Sequence, residues 1–232
     1  MSWKVKLLTV LLIIFSIIEI FGEESYSPNL VHNFKPLLTT TLLLMLWVEQ
    51  RGFTTFKILT SLALVFSFLG DGFLMYKLDH LFIPGLLCFL VAQLFYIFSF
   101  NVNLKRIGQN FRFALSKKWV IGSFLYYLFF MFLIVESIYS KLKFDLILPV
   151  MIYGAVLVFM VSAAESRRNA INKKAYYFGI AGALFFILSD SLLAINKFVT
   201  EINYSGFYIM STYIVAQYCL VRSAILVDVR RV

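Results

Sequence analysis

The sequence predicts an all-α, polytopic membrane protein with eight transmembrane helices. The chain has 232 residues, of which 61% are hydrophobic and only 14% are charged. Its apolar residues gather into runs near the length that crosses a bilayer, which is roughly 20 residues. These runs cover about 5–22, 35–49, 57–76, 81–100, 119–138, 146–164, 175–196 and 206–227. The connections between them are short, so we predict a single integral membrane domain over residues 1–232.

The basic residues indicate how the predicted helices are oriented. If the N-terminus is cytoplasmic, the cytoplasmic segments carry 16 of the 21 lysines and arginines, and the opposite side carries five. Cytoplasmic loops of membrane proteins are enriched in these residues, so the bias predicts eight crossings with both termini in the cytoplasm. The net charge of +9 is therefore a topology signal, and we expect no nucleic-acid partner.

The first run has some features of a signal peptide. Lys4 and Lys6 precede an apolar stretch from Leu7 to Ile18, but no small-x-small cleavage pattern precedes Gly22. We therefore predict an uncleaved first helix. Glu19, near the end of this helix, and Glu136, near the end of the fifth, are expected to reach the membrane interface.

The third and seventh predicted helices each contain an aspartate in a matching phrase. Residues 66–74 read FSFLGDGFL and residues 185–193 read FFILSDSLL, so Asp71 and Asp190 both stand between small residues. An ionisable group in hydrocarbon costs at least ~2.5–3.5 kcal/mol, and such groups usually have a function. Small residues let neighbouring helices approach closely. The two phrases therefore predict a paired site between packed helices.

A second pair of matching elements predicts an internal duplication. The fourth helix contains Val91-Ala92-Gln93, and the eighth contains Val215-Ala216-Gln217. The two aspartates are 119 residues apart and the two glutamines 124, which maps helix three onto seven and four onto eight. Two four-helix halves, about 1–104 and 105–232, would be parallel repeats because each has an even number of crossings. Chance resemblance between apolar segments is the alternative.

Several polar residues are predicted at a similar depth in the membrane. Asp71 and Asp190 precede the interfacial Lys77 and Lys197 by six and seven residues, which places both acids roughly 9–10 Å below the outer interface. The same slab of the outer membrane half contains Tyr153 and Tyr213 at about this depth, with Gln93 and Gln217 one to two turns deeper and Tyr96 on the same helix face as Gln93.

The chemistry of this slab has three open interpretations. Two carboxylates that face one cavity of low dielectric cannot both ionise cheaply, so one is expected to hold a proton while the other stays a base. That division of labour suits acid–base hydrolysis. The same pair could carry protons or a cation in a transporter, or hydrogen-bond neighbouring helices. The glutamines and tyrosines could line the site or only join helices. Lys35 could snorkel to the interface, or bind a lipid phosphate or a carboxylate.

Metal and nucleophile chemistry are poorly supported by the sequence. His32 and His80 fall in predicted outer connections, and no cysteine–histidine cluster occurs along the chain. An all-carboxylate zinc site would be unusual, and a serine or cysteine nucleophile lacks a histidine base at the depth of the aspartates. We therefore predict no metal and no cofactor.

Five short motifs, taken in order, resemble those of the lysoplasmalogenase family, the YhhN and TMEM86-like multi-pass membrane proteins. Lys35-Pro36-Leu37 resembles the family's KPL element, and residues 66–75 resemble its FSxxGDxxLM stretch. Residues 85–96 are similar to the next helix, 182–190 to GAxxFxxSD, and 213–217 to the final YxxAQ element. The fourth helix of the family commonly carries Ala-His-x-x-Tyr. This chain has Gln93 in place of that histidine, and a glutamine side chain cannot titrate.

The resemblance implies an ether hydrolase that cleaves the vinyl ether bond of 1-alkenyl lysophospholipids. The products would be a fatty aldehyde and a glycerophospho-ethanolamine or -choline. On this reading Asp71 and Asp190 are the catalytic acid and base, with roles that the sequence does not assign. Lys35, Gln93, Tyr96, Tyr153, Tyr213 and Gln217 would bind substrate and water. The expected partners are the lysophospholipid substrate and the lipid bilayer, and the expected location is a bacterial inner membrane. A proton- or cation-coupled transporter that uses the same aspartates is the alternative.

Overall fold

The described part of the chain is all-helical. A computed structural model describes residues 2–49, 54–105, 108–139 and 144–227, without the side chains at positions 112, 113, 138 and 145. Within these ranges the helices are α1 (Trp3–Glu24), α2 (Pro28–Glu49), α3 (Thr55–Leu74), α4 (Asp79–Lys105), α5 (Phe111–Leu115), α6 (Lys118–Tyr139), α7 (Phe144–Ser166), α8 (Lys173–Phe198) and α9 (Ser205–Leu226). The short helix α5 was not predicted, and the other eight correspond in order to the eight predicted runs.

The composition of the long helices confirms a polytopic membrane protein. Among the described residues, seven helices are long and apolar enough to cross a bilayer. The eighth, α2, has 22 residues but is less apolar, because Lys35, two asparagines, a histidine and three threonines interrupt it. Several of these polar residues, including Lys35, Thr39 and Thr41, are buried within the bundle. Helix α2 therefore belongs to the core of the helix bundle.

Helix α2 begins earlier than predicted. It starts at Pro28, seven residues before the predicted run, and Pro36 lies inside it. The first two turns are polar, so the hydropathy pattern does not detect them. Pro28 was the available signal, because proline suits the first helical position, where no intrahelical donor is needed. The two histidines assigned to connections are also helical: His32 lies in α2 and His80 in the first turn of α4. The assignment of both histidines to connections was wrong, because polar residues begin both helices and hide their first turns from the hydropathy pattern.

Tight turns join three helix pairs at the predicted outer end. Each connection contains one non-glycine residue in the left-handed backbone region: Tyr26 between α1 and α2, Lys77 between α3 and α4, and Tyr204 between α8 and α9. Their φ angles are 53°, 54° and 60° respectively. Such residues reverse the chain within a few positions, so each pair packs side by side along its length. This pairing aligns the helix ends that carry the polar site residues.

Two glycines allow close contacts between neighbouring helices. A Cβ on Gly182 of α8 would lie 2.9 Å from the backbone nitrogen of Leu220 and 3.0 Å from the carbonyl oxygen of Ala216 in α9. A Cβ on Gly70 of α3 would lie 2.7 Å from the ring of Phe89 in α4. The small residue before Asp71 thus allows the close approach that the sequence predicts.

The membrane orientation and the internal duplication stay predictions. Several of the basic residues counted for the orientation lie outside the described residues, namely Arg51, Arg106, Lys141, Lys143, Arg230 and Arg231. The packing of α3 on α4 and of α8 on α9 is compatible with two related helix pairs. The terms outer and cytoplasmic are used below in the predicted sense.

Candidate active site

Asp71 lies in a sealed hydrogen-bond network near the outer end of α3. Its side chain is buried, and its Oδ2 atom accepts hydrogen bonds from the Tyr213 hydroxyl at 2.8 Å and the Thr39 hydroxyl at 3.3 Å. These donors come from α9 and α2, so the carboxyl group joins three helices.

Gln217 extends this network towards the cytoplasm. Its Nε2 atom donates to the Ser67 hydroxyl at 2.8 Å and to the Tyr213 hydroxyl at 3.2 Å. Its Oε1 atom accepts from the Tyr96 hydroxyl at 2.6 Å. Gln217 is only 1% exposed and joins α3, α4 and α9. The pairing of Tyr213 with Gln217 one turn apart, expected from their spacing, is thus present.

Asp190 lies in a different environment on α8. Its Oδ2 atom accepts a hydrogen bond from the Tyr153 hydroxyl at 2.5 Å, and its side chain is partly exposed. That exposed part faces a pocket between α4, α6, α7 and α8. The side chains that line the pocket around Asp190 and Tyr153 are mainly apolar; they include Leu86, Met131, Ile134, Val150, Leu157 and Leu193.

The pocket is a small, mainly apolar cavity with a few polar groups on its wall. Its cavity volume is about 50 Å³, which leaves room for water, since one water requires roughly 10–15 Å³. Apart from Asp190 and Tyr153, the polar lining includes Ser191, whose hydroxyl has no hydrogen-bond partner in the described part of the chain. A few convergent polar groups in an apolar cleft are typical of small-molecule sites.

An aromatic wall lies between the pocket and the Asp71 network. Phe89 lines the pocket and packs edge-on against Tyr213, with ring centroids 5.7 Å apart. Phe186 packs against both rings, at 6.2 Å from Phe89 and 5.9 Å from Tyr213. Asp71 and Asp190 are nevertheless close enough to interact electrostatically. Of the two aspartates, Asp190 borders the pocket, and Asp71 lies in the hydrogen-bond network behind the aromatic rings.

Gln93 is a buried amide close to the pocket. It is fully buried near the Tyr153 hydroxyl, and neither side-chain polar atom has a hydrogen bond of good geometry among the described residues. A buried amide without partners costs about 1–3 kcal/mol, so such a group often serves a ligand or a water molecule. Its hydrogen-bonding capacity is therefore open, unlike that of Gln217.

Lys35 lies in a buried ion-pair cluster. Of the alternatives given for Lys35, contact with a carboxylate is the one present, although its two glutamate partners were not predicted. Its Nζ atom is 2.8 Å from Glu23 Oε1 and 3.4 Å from Glu19 Oε1, and Lys77 Nζ is 2.8 Å from Glu23 Oε2. Lys35 also interacts electrostatically with Asp71. Glu19 is 0% exposed, so the expectation that it reaches the interface was wrong. The i, i+4 spacing of the two glutamates was the available signal, because it places both on one helix face.

All eight site residues predicted from the sequence lie in this region. Asp71, Tyr96, Tyr213 and Gln217 share one network, Asp190 and Tyr153 border the pocket with Gln93 near them, and Lys35 joins the charged cluster beside Asp71. Their roles are not tested by this geometry. No group of three or more metal-binding side chains occurs in the part of the chain that the structure describes.

Comparison with known proteins finds relatives that are named lysoplasmalogenases. It is 32% identical over 170 residues to human "Lysoplasmalogenase TMEM86A", which covers 70% of this chain and 63% of the relative. It is 29% identical over 182 residues to human "Lysoplasmalogenase TMEM86B", covering 78% and 69%, and 30% identical over 186 residues to the mouse protein of that name, covering 79% and 70%. The chain thus spans just under two thirds of the length of human TMEM86A. No solved structure matches the chain significantly. The model of the YhhN family matches residues 30–224, and the chain therefore belongs to the YhhN family.

Proposed function

We propose that this protein hydrolyses the vinyl ether bond of 1-alkenyl lysophospholipids, using Asp190 and Asp71. The observation that carries the proposal is a partly exposed carboxyl group on an apolar pocket with a second, sealed carboxyl group in electrostatic range. The names of the human and mouse relatives supply the substrate class. An apolar pocket suits the hydrocarbon chain, and the carboxyl pair suits acid catalysis of ether cleavage.

Asp190 is assigned the general acid. It borders the pocket, whereas Asp71 already accepts two hydroxyl hydrogen bonds and has the Lys35 ammonium group nearby. If the pair holds one proton, Asp190 is the member that can deliver it to a substrate. The proton would go to the vinyl carbon remote from oxygen, which leaves an oxocarbenium ion on the neighbouring carbon.

The remaining steps return the proton. The ionised Asp71 would stabilise the oxocarbenium ion electrostatically, as a preorganised charge does in a site of low dielectric. Water would add to the cationic carbon and lose a proton to the Asp190 carboxylate, giving a hemiacetal. Collapse of the hemiacetal breaks its bond to the glycerol oxygen, and the hydroxyl proton passes to that oxygen. The net reaction consumes one water and releases the aldehyde and the glycerophospho-alcohol.

Gln93 and Tyr153 would hold the attacking water. Both lie near Asp190, and Gln93 offers a donor and an acceptor that no described side chain uses with good geometry. Gln93 cannot exchange a proton as histidine does, so the proposal places no proton transfer on it.

The test is the purified protein in detergent with three matched lysophosphatidylethanolamines that carry a 1-alkenyl, a 1-acyl or a 1-alkyl chain. Aldehyde release from the alkenyl lipid alone is expected, because protonation of the double bond is the proposed first step. Release of fatty acid from the acyl lipid, without any aldehyde from the alkenyl lipid, would contradict the proposal. The relatives reported above are named for hydrolysis and give the transporter alternative no support.

A further inference from the structure

The rim of the pocket carries an ion pair and two aromatic rings that the proposed chemistry does not use. Lys197 Nζ, at the end of α8, lies 2.6 Å from Asp79 Oδ1, in the first turn of α4. The same nitrogen is 5.7 Å from the ring centroid of Phe82, and Phe82 packs edge-on against Phe198 at 5.5 Å. Both phenylalanines line the pocket that contains Asp190.

Stability does not account for this ion pair. The Asp79 side chain is 88% exposed and that of Lys197 35%, and exposed ion pairs contribute little to stability. The pair lies at the predicted outer interface, the depth of lipid headgroups. Opposite charges beside an aromatic face are the groups that bind a phosphate and an amine, since a cation is attracted to an aromatic ring.

The spacing of Asp190 and Lys197 along α8 matches the distance between the ether and the phosphate of a lysolipid. Asp190 and Lys197 are seven residues apart, so their backbones are roughly 10 Å apart along the helix. Six covalent bonds, each roughly 1.5 Å long, separate the vinyl ether carbon from the phosphorus, and the bent chain spans roughly 8 Å. A hydrogen bond of roughly 3 Å closes the remaining distance. A substrate with its ether at Asp190 therefore places its phosphate near Lys197.

Lys35 is less suited to this role. Two glutamates already neutralise its ammonium group, and it is buried on the Asp71 side of the molecule. A phosphate at Lys35 would also meet the negative charges of Glu19 and Glu23. The contact between phosphate and Lys35 that the sequence allowed is therefore better assigned to Lys197.

We propose that Lys197, Asp79 and Phe82 form a headgroup subsite for a zwitterionic phosphate–amine group. The phosphate binds the Lys197 ammonium group, and the substrate amine binds the Asp79 carboxylate beside the Phe82 ring. This subsite rests on the proposed function, because it names the part of the substrate that the reacting carboxyl groups do not touch.

The experiment compares two substrates that share the vinyl ether: 1-alkenyl lysophosphatidylethanolamine and 1-alkenylglycerol, which has no phosphate. Lys197→Gln is expected to raise KM for the phospholipid about tenfold with little change in kcat, and to leave KM for the alkenylglycerol unchanged. The alkenylglycerol thus reports folding and chemistry within the same variant. Lys174→Gln is the matched control, because Lys174 is exposed at the opposite end of the same helix. An equal effect on both substrates, or no effect on either, would overturn the subsite.

Asp79→Asn tests the amine contact separately. It is expected to raise KM several-fold for the ethanolamine lipid but not for 1-alkenyl lysophosphatidylglycerol, which has no amine. Equal changes for both lipids would refute the role of Asp79. Binding of the uncleavable 1-alkyl lysophosphatidylethanolamine, measured by the thermal shift of the wild type and of Lys197→Gln, separates this proposal from the proposed function. A shift that depends on Lys197 supports the subsite even without hydrolysis, and a shift independent of Lys197 contradicts it.

Discussion

Asp71 and Asp190 occupy matching phrases in the sequence but different environments in the fold. Asp71 is sealed by hydroxyl donors from two helices and has a lysine nearby, whereas Asp190 has one phenol donor and opens to an apolar pocket. The glutamines of the second matching element differ in the same way: Gln217 joins three helices, and Gln93 has no well-formed hydrogen bond among the described residues. The comparison teaches that two similar phrases place their acids in different surroundings, because the packing of distant helices determines which groups each carboxyl group meets. Four predictions test that difference.

Asp190→Asn is expected to have the largest effect on activity. The amide cannot donate the proton or take it back from water, so kcat should fall on the order of 10⁴-fold, about 5.5 kcal/mol. The melting temperature should stay near that of the wild type, because the side chain faces a pocket. Aldehyde release and thermal unfolding measure the two quantities. Glu201→Gln, an exposed carboxylate in the connection before α9, is the control with unchanged activity. Retained activity in Asp190→Asn would end the assignment of the acid.

Lys35→Met is expected to have the largest effect on stability. It leaves Glu19 and Glu23 buried without their shared cation, and the loss of one partner from a buried ion pair costs about 3–5 kcal/mol. Lys77→Met removes an exposed cation from the same cluster and should cost less than about 1 kcal/mol. Denaturant unfolding in a defined detergent compares the two variants. Similar losses of unfolding free energy in the two variants would show that the buried Lys35 ion pairs do not stabilise the region around Asp71.

Tyr213→Phe and Tyr153→Phe compare the two aspartates directly. Loss of the Tyr213 hydroxyl removes a donor to Asp71 and a partner of Gln217, so stability should fall by about 1.5–3 kcal/mol. Loss of the Tyr153 hydroxyl should cost less stability, because water in the pocket can replace the donor to Asp190. Its effect should appear in kcat, by about tenfold. A larger stability loss in Tyr153→Phe than in Tyr213→Phe would reverse the comparison.

Thr39→Val should have only a small effect on stability. The Thr39 hydroxyl is the longer of the two contacts to Asp71, at 3.3 Å, and valine keeps the shape of the side chain. A loss of about 0.5–1.5 kcal/mol is expected from denaturant unfolding. Thr40→Val on the same helix is the matched control, because Thr40 is exposed and its hydroxyl donates to the carbonyl oxygen of Pro36 in its own helix. Equal losses in the two variants would remove Thr39 from the network.

Much of the fold, and the clustering of the polar residues of the candidate site, could be predicted from the sequence. Hydropathy located the long helices, and the cost of burying acids singled out Asp71 and Asp190. Helical spacing paired Tyr213 with Gln217. Other features depend on contacts between distant helices, which periodicity within one helix does not report. The lysine–glutamate cluster joins α1 to α2, and the open face of Asp190 depends on how α6 and α7 pack.

The early start of α2 was missed for a related reason. Its first two turns contain His32, two asparagines and Lys35, which lower the hydropathy of the segment. These residues are helical because the neighbouring helices pair with them: Lys35 meets two glutamates of α1, and the His32 ring packs 5.1 Å from that of Tyr76. Tertiary partners thus determine the helix boundary at this position.

The most direct test of the different roles proposed for the two aspartates is aldehyde release from a 1-alkenyl lysophospholipid in D₂O. The aldehyde is trapped as it forms, and its mass is measured by mass spectrometry. Proton transfer to the vinyl carbon predicts one deuterium on the carbon next to the aldehyde. The wild type should release this singly labelled aldehyde, Asp190→Asn should release essentially none, and Asp71→Asn should release it more slowly. An unlabelled aldehyde, or full rates in both variants, would contradict the account.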